Sequence, residues 1–510
     1  MNHLLIAPVL MPAIVAPLIA MVTRHHMDLT RIFSLAVSVA VVIATLALGV
    51  QAMDGTVQVY ELGDWNAPFG IVLVLDRLSA MMCILTAILA LVINLYAVGS
   101  DWDKRGSNFH SLFQFQIMGI QGAFLTGDAF NLFVFFEVLL IASYGLTIHA
   151  GGARRFQAGV QYVVYNLLGS SLFLFALGTI YAVTGTLNMA DLAVKVAEIS
   201  PDNTALLRVG AIMLLLVFCI KAALLPLHFW LPASYAEAPA PVAALFAIMT
   251  KVGAYAILRF FTLIFGPDLA ATQGLGGEWL LPAALVTLAT GAVGVLGARD
   301  LGRLIAYGAI ASMGTLLTAV ALFTPQAAAA ALYYTVHSTF AAALLFLVAD
   351  MVIERRGAHI TPKAPMAQNG LIAALFFVGA IALAGMPPIS GFLGKLLVMD
   401  AARDHDMVWI IWAVILIGSL VTILGLARAG TIIFWKAYDA TTKAPEADEQ
   451  EEEAIHQPAP ALPVVATFGL VAGLVLLTVF AGPMSAYATA TAEQLFAPEA
   501  YIQNVLGVPK

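Results

Sequence analysis

The sequence predicts an all-α polytopic membrane protein of about fourteen transmembrane helices, and three observations carry that prediction. The 510 residues are 61% hydrophobic and only 10% charged, where a soluble domain carries about 25% charged residues. A chain so poor in charge cannot cover a water-facing surface. Apolar runs of about 20 residues recur along the chain, enough for a helix rising about 1.5 Å per residue to cross a hydrocarbon core of about 30 Å. Lysine and arginine collect in alternate loops between these runs. The alternating segments of about ten residues that a membrane barrel needs do not occur.

The runs fall at roughly 4–22, 32–53, 71–98, 108–126, 128–149, 158–183, 207–232, 241–265, 279–297, 303–322, 327–350, 370–399, 408–435 and 462–482. The first reads as a retained helix: Met1-Asn2-His3 offers no basic start, and Arg24 follows the run instead of preceding it. The stretch from Pro483, with Tyr487, Gln494, Phe496 and Tyr501, is too polar for a span and suits an interfacial helix.

Basic residues set the orientation. Alternate loops hold Arg24 and Arg31, Lys104 and Arg105, Arg154 and Arg155, Arg299 and Arg303, Arg355, Arg356 and Lys363, then Lys436 and Lys443. The opposite side holds only Lys195, Arg208, Arg403 and Lys510. The first set is expected in the cytoplasm, which puts both termini outside. The acidic run Glu446–Glu453 then reads as a solvated cytoplasmic loop, and it supplies much of the net charge of −7. Cys83 and Cys219 sit inside apolar runs and fit no disulfide or metal spacing. No dinucleotide fingerprint or P-loop appears, and Gly274-Leu-Gly-Gly277 is a plain turn.

Ionisable groups inside a bilayer are costly and mark function by default. Glu137 lies about nine residues into the fifth span, near the midplane. Lys221 lies at similar depth in the seventh, Lys251 in the eighth, His337 in the eleventh and Lys395 in the twelfth. A lone lysine–glutamate pair is often helix glue, and a lone histidine is often a satisfied core residue. Five such groups on separate helices at one depth are hard to explain in that way. They suit a row of proton-exchanging sites. Glu137 is the only midplane acid and is expected to pair with Lys221. Asp76, Arg77, Arg259 and Arg428 lie nearer helix ends and read as local pairs. Asp128, Glu237 and Asp350 lie in loops or near span ends, and His228 and Glu237 are secondary candidates.

Two spans carry helix breakers beside these charges. Pro226 and Pro232 flank His228 and Trp230, and Gly385-Met-Pro-Pro-Ile-Ser-Gly391, with Pro387 and Pro388, precedes Lys395. Broken helices in corresponding positions of two halves point to a translocation site. The lysine precedes the prolines in one case and follows them in the other.

At these residues the chain resembles the antiporter-like subunits shared by respiratory complex I and Mrp-type antiporters. Lys221–Val242 (KAALLPLHFWLPASYAEAPAPV) and Asp300–Gly314 (DLGRLIAYGAIASMG) carry the likeness. Gly127–Leu146 and Gly385–Lys395 look most like the D-type subunits of Mrp-type (multiple resistance and pH) Na⁺/H⁺ antiporters. The resemblance implies fourteen core helices with two inverted five-helix repeats and broken helices 7 and 12. The expected division is 1–107 for helices 1–3, 108–265 for the first repeat, 266–436 for the second, and 437–510 for the acidic loop, helix 14 and tail. It matches Glu137, Lys221, Lys251 and Lys395 to the family's titratable positions, His337 to a linker between the halves, and Pro241 to a break between spans 7 and 8.

The resemblance also implies a component of a secondary transporter and not an enzyme, with no cofactor, no metal and no nucleic acid. Its partners would be other Mrp-type subunits in a bacterial inner membrane, and its ions H⁺ and Na⁺, K⁺ or Li⁺. Two other readings compete: a proton-pumping membrane subunit of a complex I-like NADH dehydrogenase or membrane-bound hydrogenase, and a structural scaffold.

Overall fold

The computed structural model describes residues 2–440 and 457–507. The acidic run Glu446–Glu453 lies outside the described residues. Helices in chain order are α1 Ala7–Leu18, α2 Met27–Ala52, α3 Arg77–Gly99, α4 Phe109–Leu125, α5 Ala129–Thr147, α6 Ala153–Thr184 and α7 Met189–Ala197. There follow α8 Ala205–Lys221, α9 Trp230–Glu237, α10 Ala240–Leu263, α11 Gly277–Gly297, α12 Leu301–Ala321, α13 Pro325–Arg356, α14 Asn369–Ala384 and α15 Ser390–Ala401. The last are α16 Val408–Gly430, α17 Ala437–Ala440, α18 Ala461–Val479, α19 Ala481–Phe496 and α20 Glu499–Leu506. Among the described residues, 10 helices are long and apolar enough to cross a membrane.

The third expected run begins differently. Residues 72–75 form a strand, β2 Val72–Leu75, paired antiparallel with β1 Gln58–Glu61. The alternating Val-Leu-Val-Leu is β-prone and fully buried, and Asp76 then starts α3 with a capping box to Ser79. Nothing in the hydropathy of 71–76 separates such a strand from the start of a helix.

Burial sorts the helices into a centre and a rim. The hydropathic stretch of α10 is entirely buried, whereas α6 and α16 bury about a third of theirs. On α6, Val160, Val164, Leu167, Leu168 and Phe175 stand exposed on one face. Large apolar side chains left outside at helical spacing are the surface that lipid covers. The polar stretch after Pro483 is helical, as α19 and α20, and it packs on α13 and the hairpin. Gln494 accepts from the Arg77 N–H and donates to the Gly55 carbonyl, which ties this tail to the hairpin end.

Candidate functional site

Both proline-bearing runs are interrupted. The seventh run stops as α8 at Lys221 and resumes as α9 at Trp230; the twelfth stops as α14 at Ala384 and resumes as α15 at Ser390. Pro226 lies within the first interruption, and Pro387 and Pro388 within the second. Pro232 does not: it is the third residue of α9, where its missing N–H costs little. Backbone groups freed inside a membrane must find partners. The Trp230 indole N–H donates to the Ile220 carbonyl at 3.1 Å, and the Leu225 N–H donates to the Thr287 hydroxyl at 2.9 Å.

These interruptions resolve the opposite order of lysine and proline. Lys221 is itself the last residue of α8. Lys395 lies beyond its interruption, but its ammonium folds back to donate to the Ala384 carbonyl at 2.9 Å and to the Ser419 hydroxyl at 2.8 Å. Both lysines therefore stand at the carbonyl end of the first half-helix, where the helix dipole favours a cation. Gly385 permits this at the second site. It has φ +78°, and a Cβ there would lie 2.6 Å from the Lys395 stem.

The expected Glu137–Lys221 ion pair does not form. The Lys221 ammonium instead donates to the Asn166 side-chain oxygen at 3.2 Å and the Asn166 carbonyl at 3.4 Å. Asn166 on α6 is held in this orientation because its amide donates to the Tyr162 carbonyl. Glu137 stays within electrostatic reach of Lys221 but has no hydrogen-bond partner for its buried Oε1. A glutamate on a bulky apolar face has its reach set by backbone packing, which spacing alone does not reveal.

Lys251 is 1% exposed and makes no hydrogen bond or ion pair among the described residues. Its helix approaches the first interruption closely, since a Cβ at Gly253 would meet the Ala222 nitrogen at 2.7 Å. His337 is equally buried; its Nδ1 bonds the Ser390 hydroxyl at 2.9 Å, and it lies within electrostatic reach of both Lys251 and Lys395. The five residues thus form two groups, Glu137 with Lys221 and Lys251 with His337 and Lys395. The contact of α10 with the first interruption joins them.

The secondary candidates separate. His228 lies in the first interruption with Nδ1 buried and unbonded. Glu237 ends α9, in an ion pair with Arg154 at 2.8 Å, and its carbonyl accepts from Arg155. It belongs to a cavity of about 480 Å³ at the arginine-rich end, away from the row.

Three buried polar features escape sequence reading. Asp76 and Arg259, expected to pair locally, form a buried bidentate ion pair across the fold at 2.6 and 2.9 Å. Burial alone would push the Asp76 carboxyl up, but the Arg259 guanidinium and the Ser79 cap hold it below the usual carboxylate range. Asn166 carries no charge and so leaves no signal in the sequence. Asp350, read as a residue near a span end, is 4% exposed inside α13. Sequence distance from a helix end says little in a helix of 32 residues, which at about 1.5 Å per residue outruns the bilayer core.

Residues 126–422 match the family described as NADH:quinone oxidoreductase/Mrp antiporter, TM. The D-type Na(+)/H(+) antiporter subunit of Alkalihalophilus pseudofirmus is 39% identical over 99% of this chain and 100% of its own length. The probable K(+)/H(+) antiporter subunit of the same D type from Rhizobium meliloti is 38% identical, over 100% of this chain and 98% of its own. A chain of the Mrp complex from Dietzia sp. DQ12-45-1b superposes with a TM-score of 0.88 and 27% identity, covering 99% of this chain and 100% of that one.

Proposed function

Because the chain belongs to the NADH:quinone oxidoreductase/Mrp antiporter transmembrane family, we propose that it is the D-type, proton-translocating component of a multi-subunit monovalent cation/proton antiporter in a bacterial inner membrane. One observation carries the reading: Lys221 and Lys251 are buried among helices, Lys395 is half-buried with its ammonium on neutral oxygens, and none is ion-paired among the described residues. A buried ammonium without a counter-charge is expensive. Where this fold needs ionic glue it builds a bidentate pair, as at Asp76–Arg259. Groups left uncompensated beside helix interruptions suit reversible proton binding better than scaffolding. The names of the relatives, Na⁺/H⁺ and K⁺/H⁺ antiporter subunits, favour antiport with partner subunits over a redox pump.

Protons pass along Glu137, Lys221, Lys251, His337 and Lys395, with His228 beside the first interruption and Glu237 outside the row. The chain crosses fourteen times if α1, α4, the α8–α9 pair and the α14–α15 pair join the 10 long helices. Residues 108–265 and 266–436 form two inverted repeats, flanked by 1–107 and 437–510. The arginine-rich end faces the cytoplasm and both termini lie outside.

The test is Glu137→Gln in the assembled complex, read as cation-induced dissipation of ΔpH in membrane vesicles. The expected result is loss of exchange with normal assembly, and wild-type exchange would defeat the reading.

A further inference from the structure

We infer that Asp350 is a proton-uptake site in the wall of the arginine-rimmed cavity, loading the transporter from that side. The inference rests on the proton-translocating reading above.

The cavity, of about 480 Å³, opens between Arg105, Arg154 and Glu237, and Asp350 lines its wall on α13. Asp350 lies thirteen residues beyond His337 on the same helix, which places it about 20 Å from the interior row along the helix axis. It therefore stands between that row and the cavity mouth.

Its partners are neutral. The Tyr96 hydroxyl and the Trp102 indole N–H both donate to Oδ2 at 2.8 Å. Oδ1 accepts no hydrogen bond among the described residues. Among the described residues no basic nitrogen is ion-paired with it either, and Arg105 is committed to Glu354 through two bonds of 2.8 and 2.9 Å. The charged and titratable groups that face Asp350 or share its cavity are Tyr96 from α3, Arg105 from the turn after it, Glu354 and Arg355 from α13 itself, and Arg154, Arg155, Glu237 and Asp300 across the cavity.

Two of the other buried aspartates are ion-paired, Asp76 with Arg259 and Asp103 with Arg31, with His110 alongside. Asp128 has no basic partner among the described residues, but its carboxylate is taken up in capping α5 at the Asn131 N–H. A buried carboxylate with two neutral donors on one oxygen and water-accessible space beside it is poised to change its protonation state. In the step, a hydronium ion in the cavity gives its proton to the carboxylate and leaves as water. The neutral acid later releases that proton to a base or water chain leading inward.

The test uses the assembled complex in vesicles. Asp350→Asn keeps an acceptor for Tyr96 and Trp102 but cannot bind the proton, so exchange should fall about a hundredfold. Asp350→Glu should restore exchange with a displaced pH profile. Tyr96→Phe removes one donor from the carboxylate and should move the profile to more alkaline pH by about one unit. A merely structural Asp350 would leave that profile in place. If Asp350→Asn fails to assemble, the Tyr96→Phe profile decides, together with a displaced carboxyl band in the acid-minus-alkaline infrared difference spectrum of Asp350→Glu; an unmoved band would count against the inference. Wild-type exchange in Asp350→Asn, or an unmoved Tyr96→Phe profile, overturns the inference. If Glu137→Gln is inactive at the same time, the failure concerns uptake at Asp350 alone. An active Glu137→Gln would instead put the proposed function itself in question.

Discussion

Asn166→Asp is the sharpest perturbation the site offers. It changes one atom at a position that carries no charge in the native chain. Asn166 Oδ1 lies 3.2 Å from the Lys221 ammonium, and its amide is anchored on the Tyr162 carbonyl. A carboxylate in the same place attracts that ammonium by roughly 5 kcal/mol at an effective dielectric constant of about 20. Since about 1.4 kcal/mol is tenfold, the proton on Lys221 would be held roughly three and a half decades more tightly. If Lys221 must release its proton in each cycle, exchange near neutral pH should fall at least about a hundredfold. The protein should assemble normally, because a charge partner has been added to a buried cation. The assay is cation-dependent ΔpH dissipation in vesicles across a range of pH, with assembly followed by native gel. Asn166→Leu separates the effects, since it removes the acceptor without adding charge and should cost far less. Full exchange in Asn166→Asp would show that Lys221 does not cycle its proton, and the relay through it would have to be abandoned.

Further outcomes follow from the same contacts. Lys395→Arg keeps the charge at the end of α14 but holds its proton permanently, so exchange should be lost while assembly persists; activity in that variant would reduce Lys395 to an electrostatic cap. Arg259→Leu strands the Asp76 carboxylate and should lower stability by about 3–5 kcal/mol, with Asp76→Asn added in the same chain recovering most of it; thermal unfolding in detergent measures both. Because Asp76 is held below its ordinary value, its contribution is present above the usual carboxylate range and is lost as pH falls through the lowered one, so acid should destabilise the native chain and not the double variant. Expressed without partner subunits in a host lacking antiporters, this chain should not catalyse Na⁺/H⁺ exchange. Among the described residues Glu137 is the only acid near the row, and a hard cation wants several oxygen ligands; robust exchange would reveal a cation site within the chain.

Composition and hydropathy alone determine that this chain is a bundle of apolar helices in a membrane, because burying so many apolar runs leaves no other covering surface. Position along each run locates Glu137, Lys221, Lys251, His337 and Lys395, since charge in lipid is rare enough to be its own signal. The prolines mark where two helices stop. Beyond this, local pattern runs out. It does not tell that Pro232 sits in the first turn of a helix while Pro226 sits in a gap, or that residues 72–75 form a strand, because both alternatives bury the same apolar side chains. Pairing is a matter of tertiary structure. Glu137 and Lys221 are the natural couple by charge, yet packing of α6 puts the neutral Asn166 against the lysine. Arg259 finds Asp76 across 183 residues of sequence, and Asp350 finds Tyr96 and Trp102 across 254 and 248 residues. Hydrogen bonds reach only about 3 Å, so the way the helices lie against one another decides which polar groups meet.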